Sequence, residues 1–358
     1  MKTQAHSHQS GRSGIYFALT AALLFGASTP FSKILLGSND AIVLAALLYL
    51  GSGVGLTLWW KVRRLRRSRN TREAGLKRAD FPWLAGAILS GGVVGPILLL
   101  FGLRITTASS ASLLLNLEGV FTALLAWFVF KENFDRRIAL GMAAITLGGL
   151  LLSWSGKPEL SAAWGPLGIA GACLAWAIDN NLTRRVSAGD PVQIAALKGL
   201  IAGTVNLSIA FIVGATLPRV SAIVMAAALG FLGYGVSLTL FVLALRHIGT
   251  ARTGAYFSLA PFAGAAISIA LLRDRPTPYF LAAATLMAIG VWLHLTERHG
   301  HEHRHEAMEH EHRHSHDEHH QHHIEPELLA ETHSHWHQHQ ELMHSHPHYP
   351  DVHHRHNH

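Results

Sequence analysis

The sequence predicts an all-α polytopic membrane protein: ten transmembrane helices, arranged as two inverted five-helix repeats, followed by a disordered C-terminal tail. Three observations indicate this fold class. Hydrophobic residues make up 49% of the chain and charged residues only 14%, whereas about 25% is usual for charged residues in soluble proteins. Apolar runs of about 20 residues, enough to cross a bilayer as a helix, recur along the chain. The second half also repeats features of the first.

The apolar runs divide the chain into its segments. Residues 1–13 form a polar N-terminal segment without a convincing small-residue cleavage site, so we expect the first run to be retained as a span. Residues 155–164 are read as a linker and 297–358 as the tail. The predicted spans are 14–36, 40–60, 81–103, 107–130, 138–154, 165–186, 191–213, 220–245, 250–272 and 278–296.

The loop charges predict the orientation. Loops on one side of the predicted membrane hold sixteen Lys and Arg residues, nine of them between residues 61 and 80, and loops on the other side hold five. The positive-inside rule puts the richer side in the cytoplasm. Both termini are then cytoplasmic, and the expected location is a bacterial-type inner membrane.

The same patterns argue against several other classes of protein. The basic residues lie between apolar runs, which is a topology signal and not a nucleic-acid surface. Cys173 is the only cysteine, so neither an intrachain disulfide nor a cysteine-based metal site is available. No membrane-embedded His/Asp cluster or nucleophile–base pair stands out, so we expect no enzyme and no required cofactor.

An internal repeat relates the two halves. Residues 103–133 (LRITTASSASLLLNLEGVFTALLAWFVFKEN) align without a gap with residues 245–275 (LRHIGTARTGAYFSLAPFAGAAISIALLRDR), at an offset of 142. FGASTPFSK at 25–33 similarly resembles WAIDNNLTR at 176–184. Five helices per half is an odd number, so the second half enters the membrane from the opposite side. Inverted repeats of this kind are common in secondary transporters.

FGASTPFSKILL and the two copies of the repeated block resemble the drug/metabolite transporter superfamily, specifically EamA-type proteins with two EamA domains, over residues 14–154 and 165–296. The second copy keeps the family's proline as Pro261, whereas the first has Gly119 there, preceded by Glu118. The second copy also ends in Asp274 where Glu is usual. The resemblance implies ten helices, a central substrate cavity and alternating access without ATP. Family members move amino acids, sugars, nucleotide-linked compounds and drugs, so it leaves the substrate open.

Glu118 is the first candidate for the substrate or ion pathway. It lies near the middle of its predicted span, where ionisable groups are costly and usually functional. Asn116 lies about 200° round the helix from Glu118, and Ser112 is nearer its face. A Glu118 that gains and loses a proton would couple transport to the proton gradient. The structural alternative is a carboxyl group capped by a neighbouring helix.

Further candidates lie in the sixth and seventh spans. Asp179 and Asn180 belong to a polar triplet, and Asp179 with Thr183 at i+4 is the expected inward-facing pair. Lys198 is expected to pair with Asp179 or Glu118, or to bind an anionic substrate group. The alternatives are an interfacial cap for the triplet and snorkelling for Lys198. Lys33 and Arg184, which are repeat mates, are expected to be interface anchors.

Glycine and proline residues interrupt several spans. Small residues let helices approach closely, and proline permits bending. These positions suit gating, although packing alone explains them equally well. They are Pro30, Gly91, Gly92, Gly95, Pro96, Gly233 and Pro261.

The tail holds 23 of the 27 histidines together with many charged residues. This composition predicts disorder and fluxional binding of Zn, Ni, Co or Cu by alternate histidines. Three interpretations remain open: the metal is cargo, the metal or pH regulates transport, or the tail is passive. The predicted metal ligands are His301, His303, His305, His310, His312, His314, His316, His353, His354 and His356.

Taken together, the patterns predict a secondary active transporter in a lipid bilayer. The resemblance favours export of a small metabolite, amino acid or drug-like solute, with proton coupling as a hypothesis. The alternatives are a divalent metal exporter (nickel, cobalt or zinc) and a membrane-anchored metal buffer that transports nothing.

Overall fold

Helices occupy all ten predicted spans in the computed structural model. It describes residues 2–37, 39–66, 76, 78–130, 136–153, 160–186, 190–295, 300–305, 308–314, 333–339 and 342–347. The helices of the first half are α1 (Lys2–Leu36), α2 (Ala41–Arg66), α3 (Phe81–Ala87), α4 (Gly95–Ile105), α5 (Ala108–Leu114), α6 (Leu117–Phe130) and α7 (Arg136–Ser153). Those of the second half are α8 (Leu160–Val186), α9 (Pro191–Ile212), α10 (Val220–Gly230), α11 (Ser237–Phe257), α12 (Ala260–Leu272) and α13 (Pro278–Leu295).

Length and hydropathy make this a multi-pass membrane protein. Six helical stretches in the described part of the chain are long and apolar enough to cross a bilayer. Three shorter apolar helices, within α7, α12 and α13, accompany them. A topology of ten complete spans stays a prediction. The six stretches are Ser13–Leu36, Ala41–Val62, Arg78–Ile105, Ala108–Leu125, Val192–Ile212 and Val220–Ala244.

The helix boundaries differ from the sequence prediction in three places. The helix α1 begins at Lys2 and not at residue 14. The predicted fourth span is two helices, because the chain turns at Leu115 and Asn116 between α5 and α6. In the second half, the helix runs through the predicted loop at 246–249 and breaks instead after Phe257. Hydropathy locates membrane-crossing stretches, but it carries little information about where the backbone hydrogen bonds change.

The irregular backbone segments recur at the residue offset of the internal repeat. A π-helical segment, Ile88–Val94, lies between α3 and α4, and a second one, Phe231–Val236, lies between α10 and α11. Their last residues are 142 positions apart, the offset of the aligned blocks. The turn before α6 likewise matches the turn at Ser258 and Leu259 before α12 to within one residue at that offset. Each half therefore carries the same two interruptions.

The two halves interlock, and most of the close helix pairs join one half to the other. The helix α2 packs on α9, and α7 packs on α13. The helix α1 packs on α11 and α12, while its repeat mate α8 packs on α4 and α6. Each of these contacts follows the pseudo-two-fold relation between the repeats, which supports the inverted arrangement.

Polar caps define where the second helix of each half begins. The Asp40 carboxylate accepts hydrogen bonds from the Ile42 and Val43 amides, at 2.8 and 3.2 Å. The Asp190 carboxylate accepts one from the Val192 amide at 2.9 Å. A carboxylate at this position satisfies amide groups that have no partner within the helix and favours the positive end of its dipole.

Glycines bring the central helices into backbone contact. The helices α2 and α9 cross where a Cβ atom added at Gly199 would lie 2.6 Å from the Gly53 nitrogen. In a bilayer, no hydrophobic force drives helices together, so they associate largely through dispersion contacts. Close approach of the backbones increases these contacts. The crossing therefore leaves no room for a side chain at Gly199.

The tail differs from the expected disorder in four segments. They form strands β1 (Gly300–His305), β2 (Met308–His314), β3 (His333–His339) and β4 (Leu342–Pro347). The strands pair antiparallel, β1 with β4 and β2 with β3. The alternating His-x-His pattern has the period of two that a strand requires, and disorder inferred from composition alone takes no account of that period.

We expect Gly199→Ala to destabilise the protein by about 1–3 kcal/mol, because the added methyl group overlaps the α2 backbone. Thermal unfolding of the purified protein in detergent measures the loss as a lower Tm. Gly119→Ala is the matched control, since a Cβ atom there meets nothing within 4 Å. An unchanged Tm for Gly199→Ala would contradict the described crossing.

Candidate functional site

A buried ion pair joins α8 and α9. The Lys198 ammonium donates to both oxygens of the Asp179 carboxylate, at 2.8 Å to Oδ2. The two side chains are only 14% and 11% exposed. The Thr183 hydroxyl donates to Asp179 Oδ1 at 2.7 Å and accepts from Lys198 at 3.1 Å. The predicted pair of Asp179 with Thr183 is thus present, and Lys198 completes a network of three side chains.

The π-helical segment of the first half lies against this network. A Cβ atom at Gly91 would overlap the Asp179 carboxylate. The Gly91 carbonyl accepts hydrogen bonds from the Tyr49 hydroxyl at 2.8 Å and from the Trp176 indole at 2.9 Å. A π-helical turn alters the regular helical bonding, and these side chains supply partners for the carbonyl. Glycine is thus needed here for space beside the carboxylate.

The next carbonyl in the π-helical segment is bound by α9. Asn206, fully buried, donates its side-chain amide to the Gly92 carbonyl at 2.9 Å. The Asn206 Oδ1 atom has no hydrogen-bond partner within the described part of the protein. The sequence prediction missed Tyr49, Trp176 and Asn206. Of these, Asn206 was detectable, because a polar residue deep within an apolar run is a candidate by default.

Glu118 is the second residue of α6, which is the second of the two helices that make up the predicted fourth span. It lies in the first turn of α6, directly after the turn at Leu115 and Asn116. Its Oε1 atom accepts a hydrogen bond of 2.7 Å from the side-chain amide of Asn180 in α8. Glu118 makes no ion pair with any other residue that the structure describes. Its carboxyl is therefore held by a neutral partner, next in sequence to the ion-paired Asp179.

The polar triplet of α8 faces three directions, as the helical period requires. Asp179 faces Lys198 in α9, and Asn180 faces Glu118 in α6. Asn181 donates to the Ala177 carbonyl of its own helix at 2.8 Å. The two acidic residues, Asp179 and Glu118, are thus linked through Asn180, which follows Asp179 in the sequence and binds Glu118. The residue spacing alone did not reveal this link.

Asn116 and Ser112 lie apart from these contacts. The Asn116 side chain donates to the Leu113 carbonyl at 2.9 Å and approaches the Met287 sulfur at 3.9 Å. It therefore caps the end of α5 next to α13. The Ser112 hydroxyl is buried against Gly264, where an added Cβ atom would lie 2.8 Å from it. Neither side chain contacts the Glu118 carboxyl through any hydrogen bond described.

The predicted gating positions are close-packing positions in this structure. A Cβ atom at Gly95 would lie 2.7 Å from the Trp176 indole nitrogen, and one at Gly233 would lie 2.9 Å from Ser28 Cβ. Pro30 lies inside α1. Pro96 and Pro261 lie in the first turns of α4 and α12, where a missing amide proton costs little. Their role in gating stays a prediction.

The predicted metal ligands fall into two groups. His301, His303, His305, His310, His312 and His314 lie in β1 and β2. In the strand registers His301 pairs with His346 and His312 pairs with His335. His316, His353, His354 and His356 lie outside the described residues. Among the side chains that the structure describes, which do not include those of the four strands, no group of three or more His, Cys, Asp or Glu is arranged to hold a metal ion.

A family model and three curated relatives resemble this chain. The model of the EamA-like transporter family matches residues 12–154 and 163–296, which are the two repeats. An uncharacterized transporter of Methanothermobacter thermautotrophicus is 31% identical over 293 residues, covering 78% of this chain and 85% of the relative. The uncharacterized transporter YyaM of Bacillus subtilis is 26% identical, covering 61% and 75%.

Two further similarities concern a shorter relative and the fold. A probable 4-amino-4-deoxy-L-arabinose-phosphoundecaprenol flippase subunit, ArnE of Pseudomonas fluorescens, is 34% identical over 111 residues. That match covers 30% of this chain and 96% of the relative. A solved crystal structure with 17% identity matches at a TM-score of 0.58, over 78% of this chain and 95% of that chain. This last likeness shows a shared fold.

We expect Lys198→Met to lower the free energy of unfolding by about 3 kcal/mol, because it leaves the Asp179 carboxylate buried without its partner. The double variant Lys198→Met with Asp179→Asn should lose less, since no uncompensated charge remains. Thermal unfolding in detergent measures both, together with the single variant Asp179→Asn, whose loss is needed to judge additivity. Lys61→Met, which removes an exposed lysine from α2, is the control. Additive losses in the double variant would contradict the coupling.

Proposed function

Since this chain belongs to the EamA-like transporter family, we propose that it is a secondary active transporter that exports a small solute by alternating access. The substrate class is a small metabolite, amino acid or drug-like solute. The observation that carries the proposal is two pairs of polar side chains that join facing helices, Glu118 with Asn180 and the largely buried Asp179 with Lys198. Intramembrane ionisable groups are expensive and characteristically line a transport pathway.

The division of this site between the two halves supports alternating access. Glu118 and Gly91 belong to the first repeat, whereas Asp179, Asn180 and Lys198 belong to the second. Relative movement of the halves would change the distance between Glu118 and Asn180. It would leave the Asp179–Lys198 pair intact, because both residues are in the second half. A solute that bridges the halves would therefore bind one arrangement better than the other, which is what coupling requires.

Proton coupling is the proposed driving mechanism, with Glu118 as the carrier. Its carboxyl is bonded to a neutral amide, while the nearby lysine is already paired with Asp179. A proton or a cationic group of the solute is therefore able to neutralise Glu118 without displacing an internal ion pair. Exchange between the two would link solute export to proton entry.

The proposed location is the inner membrane with both termini in the cytoplasm. Support comes from the sixteen basic residues in the loops of one predicted side against five in the other, since basic loops remain in the cytoplasm. This orientation puts the histidine-rich tail at the cytoplasmic surface.

We expect Glu118→Gln to abolish pH-driven flux in reconstituted vesicles, because glutamine has the carbonyl oxygen that Asn180 requires but carries no exchangeable charge. The measurement is solute movement after an imposed pH step, using candidate metabolites found by a growth screen of deletion and overexpression strains. Counterflow of solute without a pH gradient is the control for a folded, substrate-binding protein. Unchanged pH-driven flux in the variant would refute proton coupling through Glu118.

A divalent metal exporter is the second candidate function, and the tail favours it. Residues 297–358 hold 23 histidines, and imidazole binds Zn, Ni, Co and Cu. A third arrangement, in which the protein only buffers metal at the membrane, follows from the same composition. These candidates differ in whether metal tolerance depends on the membrane domain, the tail or both.

The primary proposal predicts that neither tail removal nor Glu118→Gln changes cellular tolerance of nickel, cobalt and zinc. A metal exporter would lose tolerance in the Glu118→Gln strain, because export through the membrane domain fails. A buffer would lose it only when residues 297–358 are deleted. A tail of the same length with every histidine replaced by glutamine separates loss of metal binding from loss of chain length.

A further inference from the structure

Lys33 reaches from α1 to the end of α4, and its role as an interface anchor stays a prediction. Its ammonium donates to the main-chain carbonyls of Leu103, Arg104 and Thr106, at 3.1 Å for Arg104 and 2.8 Å for Thr106. The last carbonyls of a helix have no partners within it, and a cation there is also favoured by the helix dipole. One side chain of α1 thus holds the chain segment between α4 and α5.

Asp274 holds the other side of the same segment. It follows α12, and its Oδ2 atom accepts a hydrogen bond of 3.0 Å from the Ser109 amide at the start of α5. The Asp274 carboxylate also lies within electrostatic range of the Lys33 ammonium. Arg104 donates from its guanidinium to the Asn39 carbonyl, at 2.9 Å, and so joins the segment to the start of α2. Charged side chains therefore connect α1, α2, α4, α5 and α12 at one end of the bundle.

A close backbone contact lies deeper on the same helices. A Cβ atom at Gly26 in α1 would lie 3.0 Å from the Gly264 nitrogen in α12. Gly26 is seven residues before Lys33, which is about 10 Å along the helix. A tight contact in the middle and polar contacts at the end are the arrangement that a tilt of α1 and α12 about Gly26 and Gly264 would require. Tilting separates the ends once the polar contacts break.

We propose that Lys33 and Asp274 form a gate, which closes the transport pathway at the end of the bundle where α1 and α12 end. The loop charges predict that this end faces away from the cytoplasm. Its release is then the step that opens the pathway to the outside. The proposal rests on the proposed alternating access, but the labelling test below needs no substrate and no proton gradient.

The composition of the gate suits repeated opening. Its contacts are hydrogen bonds between charged groups and main-chain atoms, and they are exposed or only partly buried, so water replaces them once the helices separate. Separating helices that are joined by apolar close packing would instead lose many dispersion contacts at once. A static cap built from the same contacts would stabilise the fold, yet its loss would not change access to residues deeper in α1.

The experiment measures access to Thr29, which is one turn deeper than Lys33 on the same face of α1 and only 2% exposed. In a Cys173→Ser background, which removes the only native cysteine, Thr29→Cys provides a single thiol. A membrane-impermeant maleimide is added to intact cells and, separately, to inside-out vesicles. The separate variant Arg275→Cys, in the exposed loop next to Asp274, identifies the side on which the gate lies.

We expect Asp274→Ala to accelerate labelling of the thiol at position 29 by about tenfold, the factor that corresponds to losing one charge-assisted hydrogen bond. Lys33→Met removes three such bonds and should accelerate labelling at least as much. The acceleration should occur only from the side that labels the Arg275→Cys variant. Asp274→Asn, which is able to accept the Ser109 bond but lacks the charge, should give an intermediate rate. Arg275→Gln removes a neighbouring exposed charge and should leave the rate unchanged.

Labelling at the parent rate in folded Lys33→Met and Asp274→Ala proteins would overturn the gate, as would equal acceleration by Arg275→Gln. If Lys33→Met does not fold, the Asp274 variants decide the question alone. A second measurement joins Ser109→Cys and Asp274→Cys with a short bifunctional thiol reagent in the Cys173→Ser background. The cross-link should stop solute export, whereas solute binding persists; full export by the cross-linked protein would equally overturn the gate.

Discussion

The pairing of backbone hydrogen-bonding groups inside a membrane is the constraint on which the rest of this structure depends. Lipid supplies no partner for a free carbonyl or amide, so irregular backbone is tolerated only where protein side chains or a water-filled cavity satisfy it. Here the Gly91 carbonyl is bound by Tyr49 and Trp176, and the Gly92 carbonyl by Asn206. Two of these three side chains come from the other half of the chain. The packing of one repeat on the other therefore supplies hydrogen-bond partners for carbonyl groups in the interrupted helix.

The same constraint explains why charge is concentrated at so few places in the interior. An isolated ionised group is costly there, and Asp179 is accommodated by Lys198 and Thr183 together. Glu118 is held by Asn180 alone among the described residues. Asp179 is thus ion-paired with a residue of its own half, whereas Glu118 is hydrogen-bonded to a residue of the other half. Glu118 is therefore the acidic group whose contact would change if the halves moved relative to each other.

The sequence predicted the helical fold, the repeat and the neighbourhood of the site, because hydropathy and residue offsets record these directly. It predicted the pairing of Asp179 with Lys198 as one of several possibilities, and this pairing is present in the structure. It did not predict that α11 runs on to Phe257, or that π-helical turns bring Tyr49 and Trp176 to Gly91. Those features depend on which atoms of distant helices meet, and a one-dimensional pattern does not contain that information. The alternation of histidines in the tail was interpreted as a chelating pattern in an extended chain, and the pairing of strands was not predicted because composition favoured disorder.

The interlocked repeats also bear on how the protein is made. Because α1 packs on α11 and α12, and α2 packs on α9, the first five spans leave the ribosome well before most of their final neighbours exist. Until the second half is synthesised, Gly53 and Gly91 lack the helices that later pack against them. Most close helix pairs in the described part of the chain join one half to the other, so the last helices to be synthesised complete the packing of the first ones. Biogenesis is therefore expected to be all-or-none, and a chain truncated after residue 154 would present to membrane proteases an unfinished surface and not a smaller domain.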